Sequence, residues 1–133
     1  MPSMVYLWND TIEFEDVDSY GIAHHSKLIC CLERARVHFF ADAGVNMHDG
    51  SFQLVLVDMS LKFRSPVQLM EAVSVELRVN VLKAASLIWG YRLLKTSGEV
   101  AMEGEVKMAS VGPELRPVRF PASVRCVLET IVS

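Results

Sequence analysis

The stretch FEDVDSYGIAHHSKLICCLERARVHFF, residues 14–40, decides the fold of this chain. In its second half, apolar residues recur at the spacing of a helix, and Gly44 follows as a typical helix stop. The apolar stripe consists of Leu28, Leu32, Ala35, Phe39 and Ala43, widened by Ile29 and Phe40. We predict one helix from about Ser26 to Ala43, about 26 Å long at about 1.5 Å per residue.

Segments on both sides of this helix alternate between apolar and polar residues, which is the period of a β-strand. TIEFE, residues 11–15, precedes the helix, and four such segments follow it, at 53–64, 73–81, 87–99 and 99–111. The third of these ends in a Ser-Gly hairpin turn, and residues 122–132 favour a short amphipathic helix. This order predicts an α+β fold: a long antiparallel five-stranded sheet, one main helix on one face and a short C-terminal helix.

The composition sets limits on function. With 133 residues, of which 51% are hydrophobic and 22% charged, the chain is most simply a single globular domain, residues 1–133. A net charge of −3 without a block of Lys or Arg argues against nucleic-acid binding. Apolar runs far shorter than about 20 residues and the lack of a secretory signal predict a cytoplasmic protein with no membrane span.

The connector EDVDSYGIAHHSK, residues 15–27, concentrates ionisable side chains just before the helix. Two interpretations are open. A solvated turn with a glycine uses aspartates and histidines for structural reasons alone. Alternatively, the free N–H groups at a helix start stabilise an oxyanion, and an upstream carboxylate facing the same point completes a site that hydrolyses an activated acyl group.

Metal binding is a third interpretation, because Asp16, Asp18, His24 and His25 have suitable donor atoms. Adjacent histidines diverge in direction, however, and the chain has no HxxxH or HxH pair. The three cysteines also lack the spacing of a metal site, and we expect reduced thiols. We therefore predict no metal and no other cofactor.

Residues 14–40 resemble the signature of the hotdog-fold acyl-CoA thioesterases of the YbgC and 4-hydroxybenzoyl-CoA thioesterase type. That signature is roughly D-x-D-x-x-G-[IV]-[VA]-x-H-x-N-Y, followed by a helix with E-R-A-R. The matching residues are Asp16, Asp18, Gly21, Ile22, Ala23, His25 and ERAR at 33–36. LKFRSPV (61–67) and VGPELRPVRFP (111–121) extend the resemblance over essentially the whole chain. It implies a hotdog fold, in which the long sheet wraps around one central helix.

The resemblance also implies roles for single residues. Asp18 matches the catalytic carboxylate, either as general base on water or as nucleophile on the thioester. His25 matches the residue at the helix start whose backbone N–H polarises the thioester carbonyl. Asp16 would support the loop. Glu33 would support loop and dimer contact, and it is the fallback acid because a related hotdog branch places its carboxylate on the helix.

The predicted substrate-binding residues are Tyr20, Gly21, His24, Leu28, Met59 and Arg64. In the family, the glycine lets the turn pass close to the substrate. Leu28 and Met59 are candidates for an acyl tunnel, and Arg64 for the phosphates of CoA. Lys27 and Leu28 stand where the family usually has Asn-Tyr, and Tyr20 is bulkier than usual, so the family's acyl preferences are not carried over. Glu33 and Arg36, three residues apart, favour a plain helix-surface ion pair.

Taken together, these observations predict a thioesterase that hydrolyses an acyl-CoA, or an acyl-carrier-protein thioester, to free acid and thiol. CoA enters only as part of the substrate. An open sheet leaves exposed edges, so we expect a homodimer, or a tetramer built as a dimer of dimers. The alternative is a non-hydrolytic hotdog module that binds an acyl thioester as a sensor or scaffold.

Overall fold

The computed structural model describes residues 4–47, 50 and 52–133. Five strands form one antiparallel sheet in the order β1-β3-β4-β5-β2. Their bounds are Tyr6–Thr11 (β1), Gln53–Phe63 (β2), Ala72–Leu82 (β3), Ser86–Lys95 (β4) and Val100–Val111 (β5). The central helix α1 spans His25–Asp42, and the C-terminal helix α2 spans Ala122–Glu129. The predicted element order is confirmed.

The core lies between α1 and one face of the sheet. The buried residues of α1 are Leu28, Cys31, Leu32, Ala35, Phe39 and Phe40, so most of the predicted stripe is buried. Phe39 and Phe40 both meet the indole of Trp89 edge-on, with ring centroids 6.2 and 5.8 Å away. Ala43, the last residue of the predicted stripe, is exposed because the helix ends at Asp42.

One side of α1 is tied to β1 by three side-chain pairs. The Arg34 guanidinium donates to the Asp10 carboxylate at 2.9 Å. The His38 ring stacks on Trp8 with centroids 3.8 Å apart, and the Tyr6 hydroxyl donates to the carboxylate of Asp42. The opposite side of α1 faces β5 and β2, where no comparable set of polar contacts occurs among the described residues.

The strand predicted at residues 11–15 is wrong, because β1 ends at Thr11 and residues 14–16 form a 3₁₀ turn. Glu13 and Asp16 cap this turn reciprocally, and the Glu13 N–H donates to Asp16 Oδ2 at 2.9 Å. Ile12 is 1% exposed and Phe14 is 80% exposed, so the two apolar side chains do not share a face. The alternation of apolar and polar residues over five positions therefore occurs here in a turn and not in a strand.

The two edge strands of the sheet are β1 and β2. On β2, Leu56 and Val57 are more than half exposed and Phe63 is 44% exposed. The register of β2 against β5 shifts between Leu56 and Asp58, which marks a β-bulge at Val57. Within the described parts of the chain, no helix is both long and apolar enough to cross a bilayer.

Candidate active site

Asp18 and Gly21 are the ends of a tight turn between the 3₁₀ segment and α1. The Gly21 N–H donates to the Asp18 carbonyl at 3.0 Å, and the Asp18 N–H donates to the Ile22 carbonyl at 2.9 Å. Gly21 has φ +75°, a left-handed conformation that glycine adopts without strain. The glycine of the sequence signature is therefore required by the backbone of the turn.

The Asp18 carboxylate caps this turn. Its Oδ1 accepts hydrogen bonds from the backbone N–H groups of Tyr20, at 2.8 Å, and Ile22, at 3.1 Å. The bond from Ile22, then that from Tyr20, hold the pKa of Asp18 below its ordinary value, and His24 acts in the same direction. The carboxylate is thus ionised at neutral pH. Both capping bonds go to Oδ1, which leaves Oδ2 as the oxygen for a water or a substrate.

Asp16 comes just before the turn and is buried, with 7% of its surface exposed. Besides capping the 3₁₀ turn through Oδ2, it accepts the backbone N–H of His24 on its carbonyl oxygen at 2.9 Å. These bonds connect the 3₁₀ turn to the residue before α1. Asp16 therefore makes structural contacts inside the loop, whereas the side chain of His24 is exposed.

The first turn of α1 has unoccupied backbone donors. The helix begins at His25, and His24 is the N-cap, but no side chain caps the helix. The N–H groups of Lys27 and Leu28 both donate to the His24 carbonyl, at 3.0 and 3.2 Å. Among the described residues, the N–H groups of His25 and Ser26 have no acceptor. A helix start with free N–H groups is suited to bind a negatively charged oxygen.

A pocket of about 240 Å³, here called the front pocket, lies at this helix start. Its walls come from the connector, the first turn of α1 and the corner after β2, and include Ile22, His25, Leu28, Phe63, Arg64 and Val67. The His25 ring packs against Phe63 with centroids 4.5 Å apart. The guanidinium of Arg64 is paired with Glu103. Asp18 itself does not line the pocket, but its carboxylate accepts the backbone N–H of Ile22, which does.

A second cavity of about 50 Å³, here called the rear cavity, lies between α1 and strands β2, β4 and β5. Its lining includes Ile29, Glu33, Arg36, Leu56, Met59 and Tyr91. The expected ion pair between Glu33 and Arg36 is not formed. Instead, Arg36 Nη1 donates to the Met108 thioether at 3.4 Å. Tyr91 is 3% exposed, and this burial raises the pKa of its hydroxyl, an effect that Arg36 opposes.

The structure thus separates the residues that the sequence grouped together. The front pocket is lined by His25, Leu28 and Arg64, whereas Asp18 and Gly21 do not line it and Asp18 is joined to it only through the N–H of Ile22. Met59 and Glu33 line the rear cavity instead. Tyr20, at the tip of the turn, is 87% exposed and lines neither.

Sequence reasoning missed Tyr91, because a tyrosine in an alternating strand is typical of a core. One feature of the sequence could have identified Tyr91: it carries the only hydroxyl in the buried row of β4. That row consists of Leu87, Trp89, Tyr91 and Leu93.

Other chemistries find less support in the side chains. In the described part of the chain, no three His, Cys, Asp or Glu side chains gather as a metal site would require. Burial, followed by the nearby Asp10, raises the pKa of Cys31 to about 12, so this thiol stays protonated at neutral pH. Cys31 is therefore not an activated nucleophile.

The sequence and the fold of this chain match those of known proteins. Residues 12–128 match the family model of the thioesterase-like superfamily, and the chain belongs to that superfamily. A curated relative, the acyl-CoA thioester hydrolase YbgC of Escherichia coli, is 22% identical over 130 residues, which cover 93% of this chain and 96% of the relative. The predicted family is confirmed.

Solved structures share the whole architecture. Slr0204, a 1,4-dihydroxy-2-naphthoyl-CoA thioesterase from Synechocystis, superposes with a TM-score of 0.87 at 15% identity, covering 94% of this chain and 96% of that one. SAV2348 from Staphylococcus aureus, solved in complex with CoA, also gives 0.87 at 17% identity, with coverage of 100% and 89%. The predicted hotdog fold is confirmed.

Proposed function

We propose that this protein hydrolyses acyl-CoA thioesters to free acid and CoA in the front pocket. One observation carries the proposal: α1 starts with N–H groups at His25 and Ser26 that lack an acceptor among the described residues, beside a pocket lined by His25 and Ile22, and the Ile22 N–H donates to the ionised carboxylate of Asp18. The names of the curated relatives support CoA as the thiol part of the substrate.

Thioester hydrolysis needs a site that stabilises negative charge on the carbonyl oxygen, and it needs a carboxylate. The thioester carbonyl oxygen binds at the N–H groups of α1, where the helix dipole favours the negative charge of the tetrahedral intermediate. Asp18 then acts in one of two ways. As nucleophile, its Oδ2 attacks the carbonyl carbon, expels the CoA thiolate and leaves an acyl anhydride that water hydrolyses. As base, it removes a proton from the water that attacks the same carbon.

A single turnover in ¹⁸O-labelled water distinguishes the two roles. Direct attack by Asp18 leaves label in the Asp18 carboxylate when water opens the anhydride at the aspartyl carbon. General-base catalysis places all of the label in the released acid. Mass spectrometry of the peptide that contains Asp18 measures the difference.

For the assembly, we propose a homodimer that pairs through the edge strand β2. Among the described residues no strand pairs with the outer edge of β2, and its apolar Leu56 and Val57 are exposed. Pairing with a second β2 would satisfy the edge and cover these side chains. The dimer of dimers and the cytoplasmic location stay predictions.

The decisive experiment is a thiol-release screen over acyl-CoAs of different length, with an acyl-carrier-protein thioester as a further arm. We expect saturable release of CoA from at least one acyl class. Saturable binding without thiol release from any substrate would instead favour the non-hydrolytic binding module. If only the acyl-carrier-protein thioester is hydrolysed, the natural thiol is the carrier protein and not CoA.

A further inference from the structure

The rear cavity lies at the seam where α1 packs against β2, further from the start of α1 than the front pocket. Leu28 lines the front pocket and its neighbour Ile29 lines the rear cavity. On β2, Phe63 belongs to the front pocket and Met59 to the rear cavity, about 13 Å apart along the strand. The two elements that border the front pocket, α1 and β2, therefore also border the rear cavity.

The far end of this seam is polar. Arg36 is half-buried there and contacts the Met108 thioether and the Tyr91 hydroxyl, while Glu33 lines the same cavity without forming an ion pair with Arg36. A guanidinium has five N–H donors, and a thioether is a weak acceptor. No carboxylate of the described chain pairs with Arg36, whereas Arg34, on the other side of the helix, pairs with Asp10. Arg36 thus keeps donor capacity beside an empty space.

We propose that the rear cavity binds the far end of the acyl group, and that Arg36 and Tyr91 hold an oxygen acceptor at that end. This inference rests on the proposed acyl-CoA hydrolysis, and it names the substrate class: acyl thioesters with a terminal hydroxyl or carboxylate. Charge-assisted bonds from a guanidinium to oxygen are strong and directional, which explains a cation at the end of an apolar seam. Glu33, on the rim, accepts a bond from a hydroxyl but repels a carboxylate.

The position of Arg36 suits a chain of medium length. His25 and Arg36 are about 16 Å apart along the helix at about 1.5 Å per residue. Side chains of a helix lean towards its N-terminus, which brings the guanidinium closer to the front pocket. Eight-carbon acyl groups therefore make suitable probes.

The test compares kcat/KM for octanoyl-CoA, 8-hydroxyoctanoyl-CoA and 7-carboxyheptanoyl-CoA. In the parent protein we expect the oxygenated substrates to exceed octanoyl-CoA by about tenfold or more. The two ratios are kcat/KM for 8-hydroxyoctanoyl-CoA and for 7-carboxyheptanoyl-CoA, each divided by kcat/KM for octanoyl-CoA. Arg36→Met should bring both ratios close to one, and Tyr91→Phe should lower them. Arg34→Met, which removes a cation from the other side of α1, is the matched control and should keep the parent ratios. Glu33→Gln should raise the ratio for the carboxylate substrate relative to the ratio for the hydroxyl substrate, because it removes the charge that repels the carboxylate.

Binding of the corresponding thioether analogues, measured by calorimetry, separates this inference from the proposed function. If no thioester is cleaved but the analogues keep the Arg36-dependent preference, hydrolysis is wrong and the acyl-end site stands. Parent ratios near one in both assays overturn the inference. So does a change of assembled mass in Arg36→Met without a change in the ratios, because Arg36 would then serve the subunit contact.

Discussion

The Asp18 carboxylate accepts the backbone N–H of Ile22 at 3.1 Å, and Ile22 forms part of the wall of the front pocket. One hydrogen bond thus joins the turn to the pocket. The same carboxylate therefore has a structural task through Oδ1, as the cap of its turn, and a proposed chemical task through Oδ2. Variants must separate the two tasks.

Asp18→Asn makes this separation, since an amide oxygen still accepts the N–H groups of Tyr20 and Ile22 while the charge is lost. We expect the variant to fold and to bind acyl-CoA, with turnover lowered about 100-fold or more. Circular dichroism, analogue binding and thiol release measure these properties. Asp16→Asn is the control for a carboxylate in the same loop, and parental turnover in Asp18→Asn would contradict the assignment.

His25→Pro tests the backbone donor at the helix start. His25 is the first helical residue, where proline is tolerated, and His24 has φ −65° and ψ 144°, the extended conformation that a residue before proline prefers. Proline removes the N–H, so we expect kcat to fall about 100- to 1,000-fold. His25→Ala loses the ring but keeps the N–H, and it should retain most of this activity. Equal losses in the two variants would assign the effect to the ring.

Gly21→Ala probes the turn, and Gly98→Ala is a close control. Gly98 closes the β4–β5 hairpin with the same bonds, from its N–H to the Lys95 carbonyl and from the Lys95 N–H to the Glu99 carbonyl. Both glycines have positive φ, +75° and +89°, and neither has an atom within 4 Å of an added Cβ. Each alanine should therefore cost about 1–2 kcal/mol of stability through backbone strain. Only Gly21→Ala should also lower kcat/KM, by about tenfold or more; a similar loss in Gly98→Ala would show that the effect is general destabilisation.

The lowered pKa of Asp18 fixes the sign of a pH dependence. Because the folded-state pKa lies below the ordinary value of 3.8, this carboxylate stabilises the fold fully above 3.8, and the contribution is lost as pH falls through the folded-state pKa. The difference in urea midpoint between the parent and Asp18→Asn should therefore be constant at higher pH and shrink below 3.8. A difference that already disappears between pH 5 and 7 would contradict the lowered pKa.

The proposed dimer predicts different effects at the two sheet edges. Val57 on β2 and Leu7 on β1 are 54% and 57% exposed, so they form a matched pair. Val57→Lys should give a particle of half the parental mass, since a charge on a pairing edge blocks strand addition. Leu7→Lys should keep the parental mass. Light scattering after gel filtration measures both, and dissociation by Leu7→Lys alone would place the contact on β1.

Periodicity located most of the fold. The stripe from Leu28 to Phe40 and the alternation in 73–81 are each long enough for the period to be unambiguous, because burial of one face constrains every turn or every second residue. The strand prediction for TIEFE at 11–15 was wrong because an alternation of only five residues is also compatible with a capped turn. The helix start was predicted at about Ser26, and it lies one residue earlier, at His25, without a side-chain cap.

By itself, the sequence determined the element order, since this depends on local periods. The resemblance of residues 14–40 to the thioesterase signature indicated the hotdog class, and Asp18 stays the predicted catalytic carboxylate. Only the tertiary structure decided that His25, Leu28 and Arg64 share one pocket while Met59 and Glu33 line another. The reason is packing: contacts to β1 hold one side of α1, and the other side meets β2 across a seam. Residues far apart in the chain meet across that seam, and no local pattern specifies where it opens.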